Sequence, residues 1–323
     1  MAKMHAITVA HPGGPELLQF TEVESPEAGP GELLVQTRAA GVNFLEIHQR
    51  SGEYAVDYPF TPGTEGAGVV LEVGAGVEGF EPGDVVTTSE GVRTYAERFV
   101  VPAECAVHVP EGIPHDVAAA IPLQGLSAHY LANSAANPRE GETVVIHAGA
   151  GGVGLLLTQV LVARGVRVLT TASTEEKREL SLAAGATEAL DYDDFADRAR
   201  ELTDGRGVAV VYDSVGARTF DASLASLRTR GELVLFGAAS GPVPPFDLQR
   251  LFVGGSLSII RPGLVHYLLS PEERAWRYGE IFDAIADGTL DFRIGARFPL
   301  AEAGYAHEQL ESRATTGKVI LEP

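Results

Sequence analysis

A chain of 323 residues, 45% hydrophobic and 21% charged, is long enough for two domains with real cores and too apolar to be disordered. Its formal charge of −20 disfavours nucleic acid and anionic membrane surfaces as partners, so an anionic ligand would need a local basic pocket. The single cysteine, Cys105, allows neither an internal disulfide nor a cysteine-based zinc cluster. There is no apolar signal core and no apolar run of about 18 residues, and a soluble, reducing, cytoplasmic setting is expected.

The first third is rich in turns. Short runs at Leu33–Thr37, Gly68–Val73 and Asp84–Thr87 are separated by Pro-Gly pairs at 12–13, 30–31, 62–63 and 82–83. Such punctuation predicts an irregular β barrel or sandwich with little helix. From about Pro122 the texture changes. Strands are expected at Thr143–His147, Val166–Thr171, Val208–Tyr212 and Glu232–Phe236, with a further apolar strand at Leu257–Ile260. Helices at Leu155–Ala163 and Thr174–Ala184 alternate with them, which implies βαβ units and a parallel sheet. The tail predicts helices at Glu272–Asp287 and around Ala301–Arg313, then a strand at Lys318–Leu321. Trp276 and Tyr278 on the first of these helices are expected to pack in the core. The fold class is therefore α/β, a β-rich domain joined to a doubly wound parallel sheet.

The sharpest motif is Gly149-Ala150-Gly151-Gly152-Val153-Gly154, placed directly after a strand and before a helix. Glycines here serve a tight turn, close approach of backbone to a pyrophosphate, and tight packing of helix on strand. The helix N-terminus offers N–H groups and a positive dipole to phosphates. The end of the second strand reads Leu169-Thr170-Thr171-Ala172-Ser173-Thr174, followed by Lys177 and Arg178, without the carboxylate an NAD-preferring site usually carries there. Hydroxyls plus a cation suit a 2′-phosphate, hence NADPH. Two duller readings stand beside this one: Ser173 and Glu176 fit a helix capping box, and Glu175 or Glu176 could reach a ribose. The nine histidines include no close pair at metal-ligand spacing. Without a metal to polarise an ordinary ketone, the acceptor should be electrophilic already, as quinones and conjugated enones are.

Several segments then point to one family: Ala40-Gly41-Val42-Asn43-Phe44, Arg50-Ser51-Gly52-Glu53-Tyr54, Pro62-Gly63-Thr64-Glu65-Gly66-Ala67-Gly68, Leu123-Gln124-Gly125-Leu126-Ser127-Ala128, the glycine segment, Val211-Tyr212-Asp213-Ser214-Val215-Gly216, Arg261-Pro262 and Glu311–Lys318. In this order, over nearly the whole chain, the sequence resembles the NADPH:quinone oxidoreductases, the zeta-crystallin-like, zinc-free branch of the medium-chain dehydrogenase/reductase superfamily. The resemblance implies a GroES-like domain from residues 1–126 and 265–323, and a Rossmann domain from 127–264. It further implies NADPH in the cleft between them and a homodimer joined through the Rossmann domains. Lys177, Tyr192, Arg313 and Ser173 would hold the 2′-phosphate end, and Gly149, Gly151, Gly152, Val153 and Gly154 the pyrophosphate. Asn43, Tyr54, Gln124 and Ser127 would line the nicotinamide and quinone end, with Ser214 and Phe236 bordering the cofactor. His48 stands where relatives often carry tyrosine and could donate to a quinone oxygen or only alter the pocket's shape. Asn43 occupies the position of a metal ligand in zinc-dependent relatives and could equally stabilise a turn. Tyr54 could be a plain hydrophobic lid. Asp213 is expected to bond nearby backbone, and Arg261 either to close over the cofactor or to form an interface ion pair. The competing activities are reduction of an enone or enal C=C bond, or a non-enzymatic role as a coenzyme-binding crystallin or RNA-binding protein.

Overall fold

The computed structural model describes residues 2–312 and 314–323. It falls into two compact units, Met1–Leu123 with Arg274–Tyr278 and Phe292–Pro323, and Gln124–Glu273 with Gly279–Asp291. In the first unit β1 (Lys3–Thr8) pairs antiparallel with β2 (Gln19–Glu24). There follow β3 (Glu32–Val42), helix α1 (Phe44–Ser51), β4 (Gly66–Val73), β5 (Val85–Thr88), β6 (Arg98–Pro102) and the short β7 (Val107–His108). Leu33 and Val35 on β3, Val70 on β4, Val86 on β5, and Phe99 and Val101 on β6 interlock in one fully buried cluster. These are the alternate residues of each strand, as a sheet with one face on a core requires.

Helix α2 (His115–Tyr130) departs from expectation, since it contains Pro122. A proline in mid-helix withholds the N–H that would bond the carbonyl four residues back. That carbonyl, on Ala118, accepts instead from the Thr87 hydroxyl of β5 at 2.6 Å. The neighbouring strand satisfies the break and the helix runs on.

The second unit alternates strand and helix. In order these are β8 (Thr143–Ile146), α3 (Gly152–Ala163), β9 (Arg167–Thr171), α4 (Glu175–Ala183), β10 (Glu188–Leu190), α5 (Phe195–Glu201), β11 (Val208–Asp213), α6 (Phe220–Ser226), β12 (Leu227–Leu235), α7 (Gln249–Val253) and β13 (Ser258–Ile260). Helix α8 (Pro271–Ala286) follows, with its Arg274–Tyr278 stretch in the first unit. The strands form one six-stranded parallel sheet in the order β10-β9-β8-β11-β12-β13. Every residue of β11 is buried. That is why β11 reads as a nearly continuous apolar run rather than an alternating one, since a parallel sheet is covered on both faces. On α8, Tyr278 is buried as expected, but Trp276 is 43% exposed, with the Arg277 guanidinium 4.6 Å from its ring centroid. The indole is held at the surface by a cation–π contact rather than by core packing.

The tail returns to the first unit as β14 (Ile294–Pro299), α9 (Ala303–Glu311) and β15 (Lys318–Glu322). Strand β15 pairs antiparallel with β3, Val319 opposite Val42 and Leu321 opposite Ala40. The resulting sheet runs β14-β15-β3-β4-β5-β7, with β6 also on β3.

Candidate active site

The order of the parallel sheet reverses between β8 and β11, the switch point at which ligands bind in open α/β sheets, outside the carboxyl ends of the strands. The residues singled out in this unit follow those ends one by one. Gly149–Gly154 succeeds β8, Ser173 and Lys177 succeed β9, Tyr192 succeeds β10, Ser214 succeeds β11, Phe236 succeeds β12 and Arg261 succeeds β13. A set scattered over more than a hundred residues is thus gathered at a single sheet edge. Arg313 lies outside the described residues.

The glycine segment is a turn with no room for side chains. A Cβ on Gly154 would lie 2.3 Å from the Ala148 carbonyl oxygen and 2.9 Å from the Gly149 Cα, while one on Gly149 would meet Thr170 Cβ at 2.5 Å. On Gly152 it would fall 2.0–2.3 Å from the Gln124 carboxamide, which lies over the first turn of α3. Ser127 is three residues further along α2, on the same face and half-buried. Gly151 caps α3 without a side-chain bond, so the N–H groups of that turn keep their capacity for an anion. The residue before the glycines, Ala148, is itself left-handed (φ 53°), and its N–H donates to the Tyr192 hydroxyl at 3.0 Å.

At the second strand the N-cap is Thr174, whose hydroxyl accepts the Lys177 N–H at 3.3 Å. The cap is therefore not the Ser173–Glu176 box; the helix starts one residue later and Ser173 is left exposed. Glu175 bonds the Arg178 guanidinium at 2.8 Å, and Asp191 lies 3.3 Å from the same group. Arg178 is thereby occupied. The Arg261 guanidinium donates to the Leu235 carbonyl at 3.0 Å, tying β13 to the end of β12.

Beneath the turn lies a buried polar chain. Asp213 accepts the N–H groups of Val215 and Gly216 at 2.8 and 2.9 Å, and the hydroxyls of Thr219 and Ser223 at 2.7 and 2.9 Å. Because Ser223 spends its one proton on Asp213, it must accept from His147 Nε2 at 2.9 Å. The imidazole therefore carries its proton on Nε2, and Nδ1 accepts from the Thr171 hydroxyl at 2.9 Å. Burial holds the His147 pKa down at about 4, with the Asp213 charge opposing it. The ring is neutral and pins the ends of β8, β9 and β11 to α6. The sequence placed Asp213 against backbone; the histidine relay was not visible there, because its members lie up to 76 positions apart.

In the first unit α1 presents an aromatic surface. The ring centroids of His48 and Tyr54 are 5.1 Å apart, and those of His48 and Phe44 6.3 Å. Tyr54 and Phe44 are 51% and 42% exposed. The Glu53 carboxylate lies 2.7 Å from His48 Nδ1, but that nitrogen is buried and makes no hydrogen bond. Asn43 is different. Its Nδ2 donates to Glu65 at 2.9 Å and its Oδ1 accepts from Lys318 at 2.6 Å, so both polar ends are engaged within the protein. Its N–H donates to Glu46 Oε2 at 3.0 Å. Burial pushes the Glu46 carboxyl up to about 7, the Lys318 charge partly offsetting it. Among the described residues no three His, Cys, Asp or Glu side chains converge as a metal ion would require.

A β-rich unit closed by its own tail, together with a parallel sheet carrying a glycine turn at its switch point, defines a dinucleotide-dependent oxidoreductase of the medium-chain dehydrogenase/reductase type. Residues 29–111 match the alcohol dehydrogenase GroES-like domain, and residues 152–267 the family described as zinc-binding dehydrogenase. The chain is 44% identical to a quinone oxidoreductase of Pseudomonas aeruginosa, over 96% of this chain and 97% of that one. It is 37% identical to a 2-haloacrylate reductase of a Burkholderia species, over 98% of each. The structure of Escherichia coli quinone oxidoreductase complexed with NADPH superposes with a TM-score of 0.95 at 36% identity, covering both chains completely. This chain belongs to the quinone oxidoreductase family.

Proposed function

We propose that this protein is an NADPH-dependent quinone reductase that works without a metal. The observation that carries this is the glycine turn at the switch point, with backbone N–H groups toward the sheet edge, followed at the end of β9 by Thr170-Thr171-Ala172-Ser173-Thr174, which holds no carboxylate. The relatives named above support the quinone. NADPH, when bound, supplies the hydride of its dihydronicotinamide. Gly149, Gly151, Gly152, Val153 and Gly154 cradle the pyrophosphate, while Ser173, Lys177, Tyr192 and Arg313 serve the 2′-phosphate. Ser127, Ser214, Phe236 and Arg261 border the coenzyme along the sheet edge. Tyr54 and His48 offer a planar acceptor a stacking surface, and His48 Nε2 can donate to the acceptor oxygen. The Gln124 carboxamide, packed on Gly152, belongs to the nicotinamide end. Asn43 acts as wall and anchor rather than as a ligand contact.

The setting that fits is a reducing cytoplasm, consistent with a lone, buried Cys105, and no described helix is long and apolar enough to cross a membrane. A second copy of this chain is the natural cover for Leu248, Phe252, Val253, Val265 and Leu269, each 63–81% exposed and flanking the edge strand β13. Sedimentation of the purified protein as a dimer is expected; a single monomer boundary would remove this assignment.

Steady-state rates over quinones, enones and a 2-haloacrylate, run with NADPH and NADH, test the activity. Quinone turnover with NADPH preferred is expected. Turnover of alkenes alone would transfer the assignment to the reading that the haloacrylate-reducing relative favours. Lys177→Ala should raise the KM for NADPH about tenfold or more while moving that for NADH less than about twofold, because it removes ground-state binding to one phosphate. Equal effects on both coenzymes would refute the 2′-phosphate role.

A further inference from the structure

Four chain segments far apart in sequence meet at one buried carboxylate. Glu65, 0% exposed, accepts from Asn43 Nδ2 at 2.9 Å and from the Leu123 N–H at 2.7 Å, and it is bonded by the Lys318 ammonium, itself 1% exposed. Lys318 also donates to Asn43 Oδ1 at 2.6 Å. The pairing of β15 with β3 places Lys318 opposite Asn43, one step beyond Val319 and Val42. Room is made by Gly41, where a Cβ would lie 2.0 Å from Glu65 Oε2 and 2.9 Å from Lys318 Cε. Burying two charges costs more than packing apolar side chains of the same volume would, so an ion pair at this depth is weakly explained by stability alone. What it does uniquely is fix directions. Asn43 immediately precedes α1, which carries His48 and leads to Tyr54, and Leu123 immediately precedes Gln124.

We propose that Glu65 and Lys318 form a positioning dyad for the acceptor end of the site, orienting the start of α1 through Asn43 and the Leu123–Gln124 peptide through its N–H. The inference rests on the reading that His48, Tyr54 and Gln124 border the acceptor. Neither member of the dyad need touch substrate. The pair acts through two segments that do.

The test uses the full-length protein with Lys318→Met, alone and combined with Glu65→Gln. The single variant should lose about tenfold or more in kcat/KM for 1,4-benzoquinone at saturating NADPH, while the NADPH dissociation constant, read by fluorescence titration, moves less than about twofold. The double variant removes both charges of the pair, leaving Glu46 as the buried carboxyl beside Asn43, and should recover most of the lost thermal midpoint. It should still leave acceptor kcat/KM low, because Asn43 has lost the Lys318 ammonium and a single Gln oxygen must serve both Asn43 Nδ2 and the Leu123 N–H. If the single variant fails to fold, the double carries the same acceptor measurement. Acceptor kcat/KM within twofold of wild type, its recovery together with stability in the double, or a parallel loss of coenzyme affinity would each overturn the dyad. Wild-type protein that binds NADPH but reduces no quinone would instead fault the assignment of activity.

Discussion

Gly154→Ala is expected to raise the dissociation constant for NADPH by about a hundredfold or more and to cost about 1–3 kcal/mol of stability. The added methyl would sit 2.3 Å from the Ala148 carbonyl oxygen, 2.9 Å from the Gly149 Cα and 3.1 Å from the Ala148 carbonyl carbon. These are backbone atoms of the turn itself and cannot rotate aside like a side-chain tip. Relief requires α3 to lift from β8, and its N-terminal N–H groups move with it. Those groups and the helix dipole are what a pyrophosphate would bind, so a small displacement acts directly on affinity. The same substitution at Gly279 on α8, where nothing lies within 4 Å, should instead stabilise by about 0.5–1 kcal/mol through helix propensity alone. Coenzyme fluorescence titration and thermal melts of the two variants make the comparison; an unchanged titration for Gly154→Ala would show that this turn is not the coenzyme cradle.

Asp213→Ala should destabilise the protein by about 3–5 kcal/mol, because it strands two buried N–H groups and the Ser223 hydroxyl and leaves the Thr219 hydroxyl only its longer bond to the Gly216 carbonyl. Asp213→Asn keeps an acceptor for the N–H pair and should lose less. The same chain makes stability pH-dependent. Burial depresses the His147 pKa to about 4, so the unfolded chain takes up a proton that the native ring refuses. The stabilisation is present above about pH 6.5 and is lost as pH falls through about 4, amounting to roughly 3 kcal/mol at most. Buried His307, depressed to about 3, adds in the same direction. Urea titrations at pH 7 and pH 5 read both effects. A flat pH dependence would mean that His147 is already charged, and a loss below about 1 kcal/mol for Asp213→Ala would mean that water replaces the carboxylate.

The parallel sheet was legible because burial on both faces makes the cores of β8 and β11 unbroken apolar runs, and because strands and helices alternate around them. The glycine turn was legible because its steric demands admit one residue type. The β-rich unit was legible from its Pro-Gly punctuation, but α1 and α2 were not. Helix α1 is eight residues long, and α2 depends on a hydroxyl from β5 to accept the carbonyl that Pro122 abandons. Capping at β9 came out one residue late because Ser173 and Thr174 are chemically equivalent caps, and only the chain's exit from the strand selects between them.

Local chemistry, read along the chain, determined that this protein would bind a dinucleotide and reduce something already electrophilic, since turn geometry, strand periodicity and the types of donor present are short-range properties. Tertiary structure alone decided the pairings that span the chain. Lys318 faces Asn43 across a strand register, Glu65 gathers four segments, and His147 bridges Thr171 and Ser223, because which buried polar group satisfies which other depends on packing that no local pattern encodes.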